Sequence, residues 1–221
     1  MSTTFIIIIA LDILATIIAL GAEINVKSKF NKYTKVASSS GLTGKDVAER
    51  ILRENDITEI SVNSISQTMG DHYYHSKKEL NLCEENFSGT SIAAIAVAAH
   101  EAGHAIQYKQ GYFGIKLRNF IIPVSNFVSR AFLPLLVIGL ILSLFSVAFA
   151  GTNIGEIIVY ASLICLGTSV IANLVTLPVE FDASKRAIQE IERMNLSRMT
   201  SRVDINAVSC AMLPLAIMSQ G

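Results

Sequence analysis

The sequence predicts a mainly α-helical membrane protein with about three transmembrane helices and one small α+β domain. Its 221 residues are 51% hydrophobic and only 16% charged, whereas charged residues make up about 25% of an ordinary soluble domain. Three segments are long and apolar enough to cross a bilayer. Between the first and second of them lies a stretch of mixed composition, whose short amphipathic segments predict helices and strands.

The first predicted span covers residues 4–24 and is almost continuously apolar from Phe5 to Ala22. No basic segment precedes it and no clear small-residue cleavage site follows, so it is predicted to be a retained anchor and not a signal peptide. Asp12 lies near its middle, where a carboxylate costs about 2.5–3.5 kcal/mol to insert. Either this carboxyl pairs within a helix bundle, or the surrounding isoleucines outweigh it.

Two further spans are predicted at residues 131–150 and 157–177, and neither contains a charged residue. The mostly apolar segment 118–130, which carries Pro123, is interpreted as a lead-in to the earlier of these two spans. Both spans have the length that a helix needs to cross the hydrocarbon core.

Pro178 is predicted to end the third span, because proline lacks the N–H that continues a helix. A polar helix is predicted beyond it, within residues 178–203. The tail at 204–221 carries an apolar run that is too short to cross a bilayer alone.

The distribution of basic residues predicts the orientation of the chain. All 18 lysines and arginines lie within Lys27–Arg130 or Lys185–Arg202. Because cytoplasmic segments are enriched in these residues, the domain at 25–120 and the segment after the third span are predicted to face the cytoplasm, in a multi-pass protein of the plasma membrane. The loop 151–156 is predicted to lie outside. The net charge is zero, and no basic patch with aromatic residues indicates nucleic-acid binding.

Local patterns predict the elements of the domain at 25–120. Residues 45–55 predict an amphipathic helix capped by Thr43 or Gly44, since its apolar positions share one face. Alternation of apolar and polar residues over 57–66 predicts a short strand. Residues 72–82 predict a turn that leads into another strand.

An H-E-x-x-H pattern at residues 100–104 is the strongest chemical signal in the chain. Side chains four apart on a helix share a face, so His100 and His104 can occupy two corners of a Zn²⁺ tetrahedron. Glu101 can then act as the general base on a zinc-activated water. The preceding segment begins with N-capping residues and continues as an Ala-rich helix, and Gly103 indicates close packing against the motif.

A hydrolytic zinc site takes three protein ligands and leaves one position for water. No histidine follows His104, and the three cysteines are widely spaced without a C-x-x-C pair: Cys83, Cys165 and Cys210. An acidic residue on a second helix remains, and Glu180 is the best candidate by position. Position alone explains Glu180 equally well as a solvated acid in the first turn of a helix.

The strand predicted within 72–82 lies just before the motif helix, so its edge can receive an extended peptide. His72, Tyr73 and His75 are therefore candidates for contacts with a substrate or an oxyanion. The alternative is that these side chains only stabilise a turn.

Several segments resemble one known family when they are taken together. Residues 32–36, 41–48, 71–73, 91–107 and 176–184 resemble the bacterial neutral zinc metallopeptidase family of multi-pass membrane proteins, the YugP-like group. The resemblance extends over most of the chain, from about residue 26 to residue 191. It implies a zincin-like domain that carries the H-E-x-x-H helix.

The segment at 180–184 also resembles the E-x-x-A-D motif of membrane gluzincins, in which the first glutamate is the third zinc ligand. Carried over, this resemblance implies that His100, His104 and Glu180 bind Zn²⁺ and that Glu101 is catalytic. Ser184 stands where the broader group has an aspartate that supports a ligand histidine. Asp182 is the alternative candidate for that supporting role.

The function that follows is a membrane-embedded zinc-dependent endopeptidase, with the lipid bilayer and a peptide or membrane-protein substrate as partners. A site-two-type intramembrane protease is disfavoured, because only about eight apolar residues precede His100 and no L-D-G motif supplies an aspartate ligand. A membrane scaffold or assembly factor with a structural metal site is the non-enzymatic alternative. Such a structural site would have no use for a general base at Glu101.

Overall fold

The computed structural model describes residues 30–67, 70–148 and 154–194, together with scattered positions between 10 and 28. The predicted anchor at 4–24 therefore lies mostly outside the described residues, and Asp12 lies outside them. The predicted tail at 204–221 and the end of the predicted helix at 178–203 also lie outside.

The chain divides into two compact units. The apolar unit consists of Met1–Leu20 and Lys116–Thr176. The site unit consists of Gly21–Ile115 and Leu177–Gly221. This division is coarser than the six segments predicted from the sequence, whose separate boundaries stay predictions.

Helix α1, Gly44–Glu54, begins at a reciprocal capping box and confirms the predicted amphipathic helix. The Thr43 hydroxyl accepts a hydrogen bond from the Asp46 N–H at 3.2 Å, and the Asp46 carboxylate accepts one from the Thr43 N–H at 2.9 Å. Two backbone donors at the helix start are thereby satisfied. The face that carries Val47 and Ile51 is fully buried.

A three-stranded sheet follows, formed by β1 (Ser61–Ile65), β2 (His72–Tyr74) and β3 (Glu79–Cys83). The strand order is β1-β3-β2, with β1 parallel and β2 antiparallel to β3. The sequence predicts a strand over 57–66, and the structure has one there, β1, that is five residues long. β2 forms an edge of this sheet.

The stretch 72–82 contains two strands and not one. A short 3-10 turn over His75–Lys77 separates β2 from β3. Lys78 follows in the left-handed region with φ 55°, a conformation that interrupts extended backbone. The reversal allows β2 to fold back antiparallel on β3.

A short helix α2, Glu84–Ser88, leads into helix α3, Ile92–Lys109. The Ser91 hydroxyl caps α3 by accepting a hydrogen bond from the Ala94 N–H at 3.1 Å. Every residue of α3 from Ile92 to Gln107 is buried. An Ala-rich sequence suits this position, because small side chains allow neighbouring elements to approach from all sides.

Two long helices follow α3 in the described part of the chain, and both run past predicted boundaries. α4, Phe113–Ala148, contains Pro123 and Pro134, so the predicted lead-in is part of the helix. α5, Ile154–Arg193, continues through Pro178 without a break. The prediction that Pro178 ends a helix is wrong.

Tertiary packing explains why α5 continues. A proline in a helix interior costs about 3 kcal/mol, because one hydrogen bond is lost and the ring crowds the preceding turn. Beyond Pro178, the side chains of Ala183, Ala187 and Ile191 repeat one helical turn apart and are buried in the site unit. Their burial offsets the cost of the proline. Glu180 consequently lies inside a long helix and not in the first turn of a new one.

Among the described residues, two helical segments are long and apolar enough to cross a membrane, Phe113–Ser143 and Ile154–Arg193. They overlap the second and third predicted spans. Within the apolar unit their helices approach closely at Gly139, where an added Cβ would lie 2.8 Å from the backbone nitrogen of Val159. Small residues at such contacts are typical of helices that pack in bilayers.

We expect Thr43→Ala to destabilise the start of α1 by about 1 kcal/mol, which corresponds to about 5-fold faster amide exchange there. Hydrogen bonds from Thr43 lower the pKa of Asp46 below its ordinary value of 3.8. The part of the effect that involves the Asp46 carboxylate should therefore be present at neutral pH and be lost as the pH falls through the lowered pKa, whereas the bond from the Asp46 N–H to the Thr43 hydroxyl does not depend on this titration. Hydrogen exchange at residues 44–48 measures it. Thr58→Ala, at an exposed threonine, is the control, and equal exchange in both variants would contradict the prediction.

Candidate metal centre

The candidate site lies where α3 and α5 approach each other within the site unit. An added Cβ at Gly103 would lie 2.5 Å from the carbonyl oxygen of Ala183. Real Cβ atoms essentially never come so close to another heavy atom, so only glycine fits there without displacing a neighbour. The close packing predicted from Gly103 is confirmed, and its partner is α5.

This approach brings Glu180 to the histidine pair. The rings of His100 and His104 lie one turn apart on α3, with their centroids 4.8 Å apart and their planes at 82°. Glu180 Oε2 lies 3.2 Å from His100 Nε2 and 3.3 Å from His104 Nε2. The three potential ligand atoms all lie within 4.8 Å of one another. The structure thus brings together the three residues that the sequence proposed as ligands.

The three side chains could hold a metal ion. Donor atoms about 2.0–2.1 Å from Zn²⁺ lie about 3.4 Å apart at tetrahedral angles, and the separations of Glu180 Oε2 from the two histidine nitrogens, 3.2 and 3.3 Å, are close to this value. His100 and Glu180 are 0% exposed and His104 is 3% exposed. The buried Nε2 of His104 makes no hydrogen bond. Burying such groups is costly unless a partner satisfies them, and a cation between the three side chains would be that partner.

Each histidine has a second contact through Nδ1. His100 Nδ1 lies 3.1 Å from the Ser184 hydroxyl, and His104 Nδ1 lies 3.0 Å from Gln107 Oε1. Such contacts orient imidazole ligands. Ser184 is therefore placed to support His100. The hydrogen bonds of Asp182 reach His104 only through Gln107.

Glu101 is on α3, and its side chain faces the edge strand β2. Its side chain is buried, and its Oε2 accepts a hydrogen bond from the backbone N–H of Tyr73 at 2.9 Å. Since this N–H is directed at Glu101, it is not paired with β3. The outer edge of β2 therefore faces the Glu101 carboxylate.

The other residues singled out in β2 and its turn make local contacts. His72 Nδ1 donates to the Gly70 carbonyl at 2.6 Å, and its Nε2 lies 3.2 Å from Asn81 Nδ2. These bonds fit the structural alternative, in which His72 stabilises a turn.

Tyr73 and His75 form an aromatic cluster with Tyr108 of α3. His75 stacks on Tyr108 with centroids 3.8 Å apart, and Tyr73 meets Tyr108 edge-on at 5.5 Å. Burial raises the pKa of Tyr73 to about 12, so its hydroxyl stays protonated at neutral pH. That hydroxyl lies 3.2 Å from His75 Nδ1. A role of either residue toward a substrate or an oxyanion stays a prediction.

Sequence reasoning missed Gln107 and Tyr108. They follow His104 by three and four residues, so both share its face of α3. That spacing was the available signal. A glutamine or tyrosine at such a position is common on any helix, however, and its partners come from distant parts of the chain.

The described residues thus contain a buried His–His–Glu cluster that could hold a metal ion, and two helices that are long and apolar enough to cross a bilayer. The model of the family described as "Putative neutral zinc metallopeptidase" matches residues 5–212. This match spans most of the chain, so the protein belongs to that family. The membership predicted from the sequence motifs is confirmed.

A named relative supports the same assignment. The chain is 40% identical over 206 residues to the "Putative membrane protease YugP" of Bacillus subtilis (strain 168), which covers 91% of this chain and 86% of that protein. No solved structure matches the chain.

We expect Gly103→Ala to weaken zinc binding by at least about 10-fold, as the loss of support around a ligand typically does. The added methyl group would collide with the Ala183 carbonyl and move α5, and Glu180 with it, away from the histidines. Competition with a chromophoric chelator measures the zinc affinity.

Gly167→Ala is the matched control, because nothing lies within 4 Å of an added Cβ at that helical position. It should bind zinc as the wild type does. Unchanged affinity in Gly103→Ala would show that the close approach of the two helices is not required.

Proposed function

We propose that this protein is a membrane-embedded zinc-dependent endopeptidase of the gluzincin type. The convergence of His100, His104 and Glu180 is the observation that carries the proposal, and Glu101 directly follows the first of these histidines on α3. Membership of a family described as zinc metallopeptidases, and similarity to a protein named as a membrane protease, support it. The conclusion extends these findings to a reaction and to the roles of individual residues.

In this proposal, His100 and His104 bind the metal through Nε2, and Glu180 binds it through its carboxylate. The chemistry that a bound Zn²⁺ supplies is polarisation of the scissile carbonyl and a lowered pKa of the attacking water. Three protein ligands leave one position for substrate and water, as hydrolytic sites require.

Glu101 moves the proton. Its carboxylate takes up the proton that the attacking water loses and returns it to the amine nitrogen that leaves. The N–H of Tyr73 donates to Oε2 and fixes the orientation of the carboxylate. A structural metal site has no need of such a base, which argues against the alternative of a non-catalytic scaffold.

The edge of β2 is the proposed binding surface for the substrate backbone. β2 lies at the edge of the sheet, and its outer N–H at Tyr73 is directed at Glu101. Because this N–H is engaged by Glu101, a peptide that approaches the edge in extended conformation would pair through other backbone groups of β2 and would lie alongside the catalytic base. An extended backbone is also the conformation in which a peptide bond is most accessible to attack.

We further propose that the chain crosses the plasma membrane several times and that its site faces the cytoplasm. The basic residues support this orientation, because 15 of the 18 lie in the site unit and none lies in 151–156. The two long apolar helices support membrane insertion. On this view, α5 carries Glu180 at the boundary between its apolar and polar halves.

Glu101→Gln should retain zinc but cleave peptides about 10²- to 10⁴-fold more slowly, because the amide cannot accept a proton. His104→Ala should lose zinc, because one ligand is removed. Metal analysis of the purified full chain, together with cleavage of casein and of a membrane peptide with and without chelator, measures both effects.

Glu85→Gln is the matched control, since Glu85 is an exposed glutamate on α2. Equal zinc loss in Glu101→Gln and His104→Ala, or undiminished cleavage by Glu101→Gln, would sink the assignment. A wild-type protein that binds zinc and cleaves neither substrate would favour the non-catalytic scaffold.

Glu180→Ala should abolish tight zinc binding in the same way as His104→Ala. The spectrum of the Co²⁺-substituted protein gives an independent measurement, because its intensity and position report the number and type of ligands. Glu192→Ala, at an exposed glutamate on the same helix, should leave the spectrum unchanged. Unaltered Co²⁺ absorption in Glu180→Ala would show that the third ligand lies elsewhere.

A further inference from the structure

Gln107 is a buried glutamine whose amide contacts both helices of the site. It is 0% exposed. Its Oε1 lies 3.0 Å from His104 Nδ1, and its Nε2 donates to the Val179 carbonyl and to Asp182 Oδ2, at 2.8 Å each. Both donors and the acceptor of the side-chain amide are thus engaged.

These partners determine which way the amide points. A backbone carbonyl accepts hydrogen bonds and cannot donate them, and the Asp182 carboxylate is paired with the Arg186 guanidinium at 2.5 Å. The NH₂ group of Gln107 must therefore face Val179 and Asp182. Its carbonyl oxygen is left to face His104.

The orientation of the amide in turn determines the tautomer of His104. An amide oxygen only accepts, so Nδ1 of His104 must carry the hydrogen. A neutral imidazole then has its lone pair on Nε2, the atom that lies 3.3 Å from Glu180 Oε2. A cation bound in the cluster would therefore meet the Nε2 lone pair of His104. Without a cation, the Glu180 carboxylate competes for a hydrogen on that nitrogen.

The equivalent contact of the other histidine does not have this effect. His100 Nδ1 lies against the Ser184 hydroxyl, which can either donate or accept a hydrogen bond. Gln107 is therefore the more decisive of the two supporting residues.

The same amide also connects α3 to the turn of α5 that carries the third proposed ligand. Val179 immediately precedes Glu180 in the chain, and Asp182 follows it by two residues. The two hydrogen bonds from Gln107 thus flank Glu180. They bind the histidine helix to the glutamate helix at the level of the site.

We infer that Gln107 is a positioning residue with two effects: it fixes His104 in the Nδ1–H tautomer, and it holds the Glu180 turn against α3. The inference rests on the proposed function only in taking the three-residue cluster as a metal site. Peptide cleavage is not needed to test it.

The first test is the tautomer of His104 in a metal-free full chain that carries Glu180→Ala, measured from ¹⁵N shifts of labelled histidine at a pH where the ring is neutral. Removal of Glu180 is needed because its carboxylate, 3.3 Å from His104 Nε2, would otherwise compete for the ring hydrogen. With Gln107 present, this background should show the Nδ1–H form. When Gln107→Met is added, which keeps a similar side-chain length but forms no such hydrogen bonds, this preference should be lost. An Nε2–H tautomer with Gln107 present, or an unchanged tautomer with Gln107→Met, would overturn the first effect.

The second test is zinc affinity. Gln107→Met should bind zinc about 10- to 100-fold more weakly, as is typical when a residue that supports a ligand is removed. Gln189→Met, at an exposed glutamine on α5, is the matched control and should bind as the wild type does. Unchanged affinity in Gln107→Met would overturn the inference.

Gln107→Glu separates the two effects. Its carboxylate still accepts from His104 Nδ1 but repels the Val179 carbonyl and Asp182. It should keep the Nδ1–H tautomer and still bind zinc more weakly, and wild-type affinity in this variant would overturn the second effect. Should Gln107→Met fail to fold, the tautomer in the Glu180→Ala chain with Gln107 present and the zinc affinity of Gln107→Glu still decide the question.

The outcomes also distinguish this inference from the proposed function. If the wild type holds zinc and cleaves nothing, the peptidase proposal fails, while the tautomer and affinity tests retain their meaning. If cleavage is observed and Gln107→Met binds zinc normally, only the role of Gln107 fails.

Discussion

The close contact between α3 and α5 is the constraint on which the rest of the site depends. Gly103 presents bare backbone to the Ala183 carbonyl, and no larger residue fits at that point without a shift. Glu180 lies one helical turn before Ala183 on the same helix. The helix contact therefore sets the distance from the glutamate to both histidines, and a small change there would move one potential ligand relative to the other two.

The ionisable side chains of the site lie in the buried core, which elsewhere in the domain consists largely of residues such as alanine and isoleucine. α3 is buried on all sides, so its polar side chains must find partners within the protein or bind an ion. Two of them, Gln107 and Glu101, are satisfied by protein atoms that come from α5 and β2 respectively. The two histidines direct their remaining nitrogens at Glu180. A cation is the group that would neutralise this carboxylate and engage both imidazoles at once.

Three prolines that would be expected to end helices lie inside the two long helices α4 and α5. Each proline removes one backbone hydrogen bond, and local rules treat it as a probable boundary. In α5 the residues beyond Pro178 pack into the site unit, and this burial outweighs the local cost. Glu180 consequently lies within a continuous helix, with buried residues before and after it in the chain. Its backbone therefore has less conformational freedom than that of a residue at a frayed helix start.

The sequence by itself determined the apolar character of the chain, the helix at 44–54, the pairing of His100 with His104 and the family. These features are local or compositional: periodicity, capping residues and motif spacing act over a few residues. The tertiary structure decided that Glu180 is a buried partner of the histidines and not a solvated acid. It also decided that Glu101 contacts β2 and that Gln107 supports His104. His100 and Glu180 are 80 residues apart in the chain, and no local pattern encodes the helix contact that brings them together.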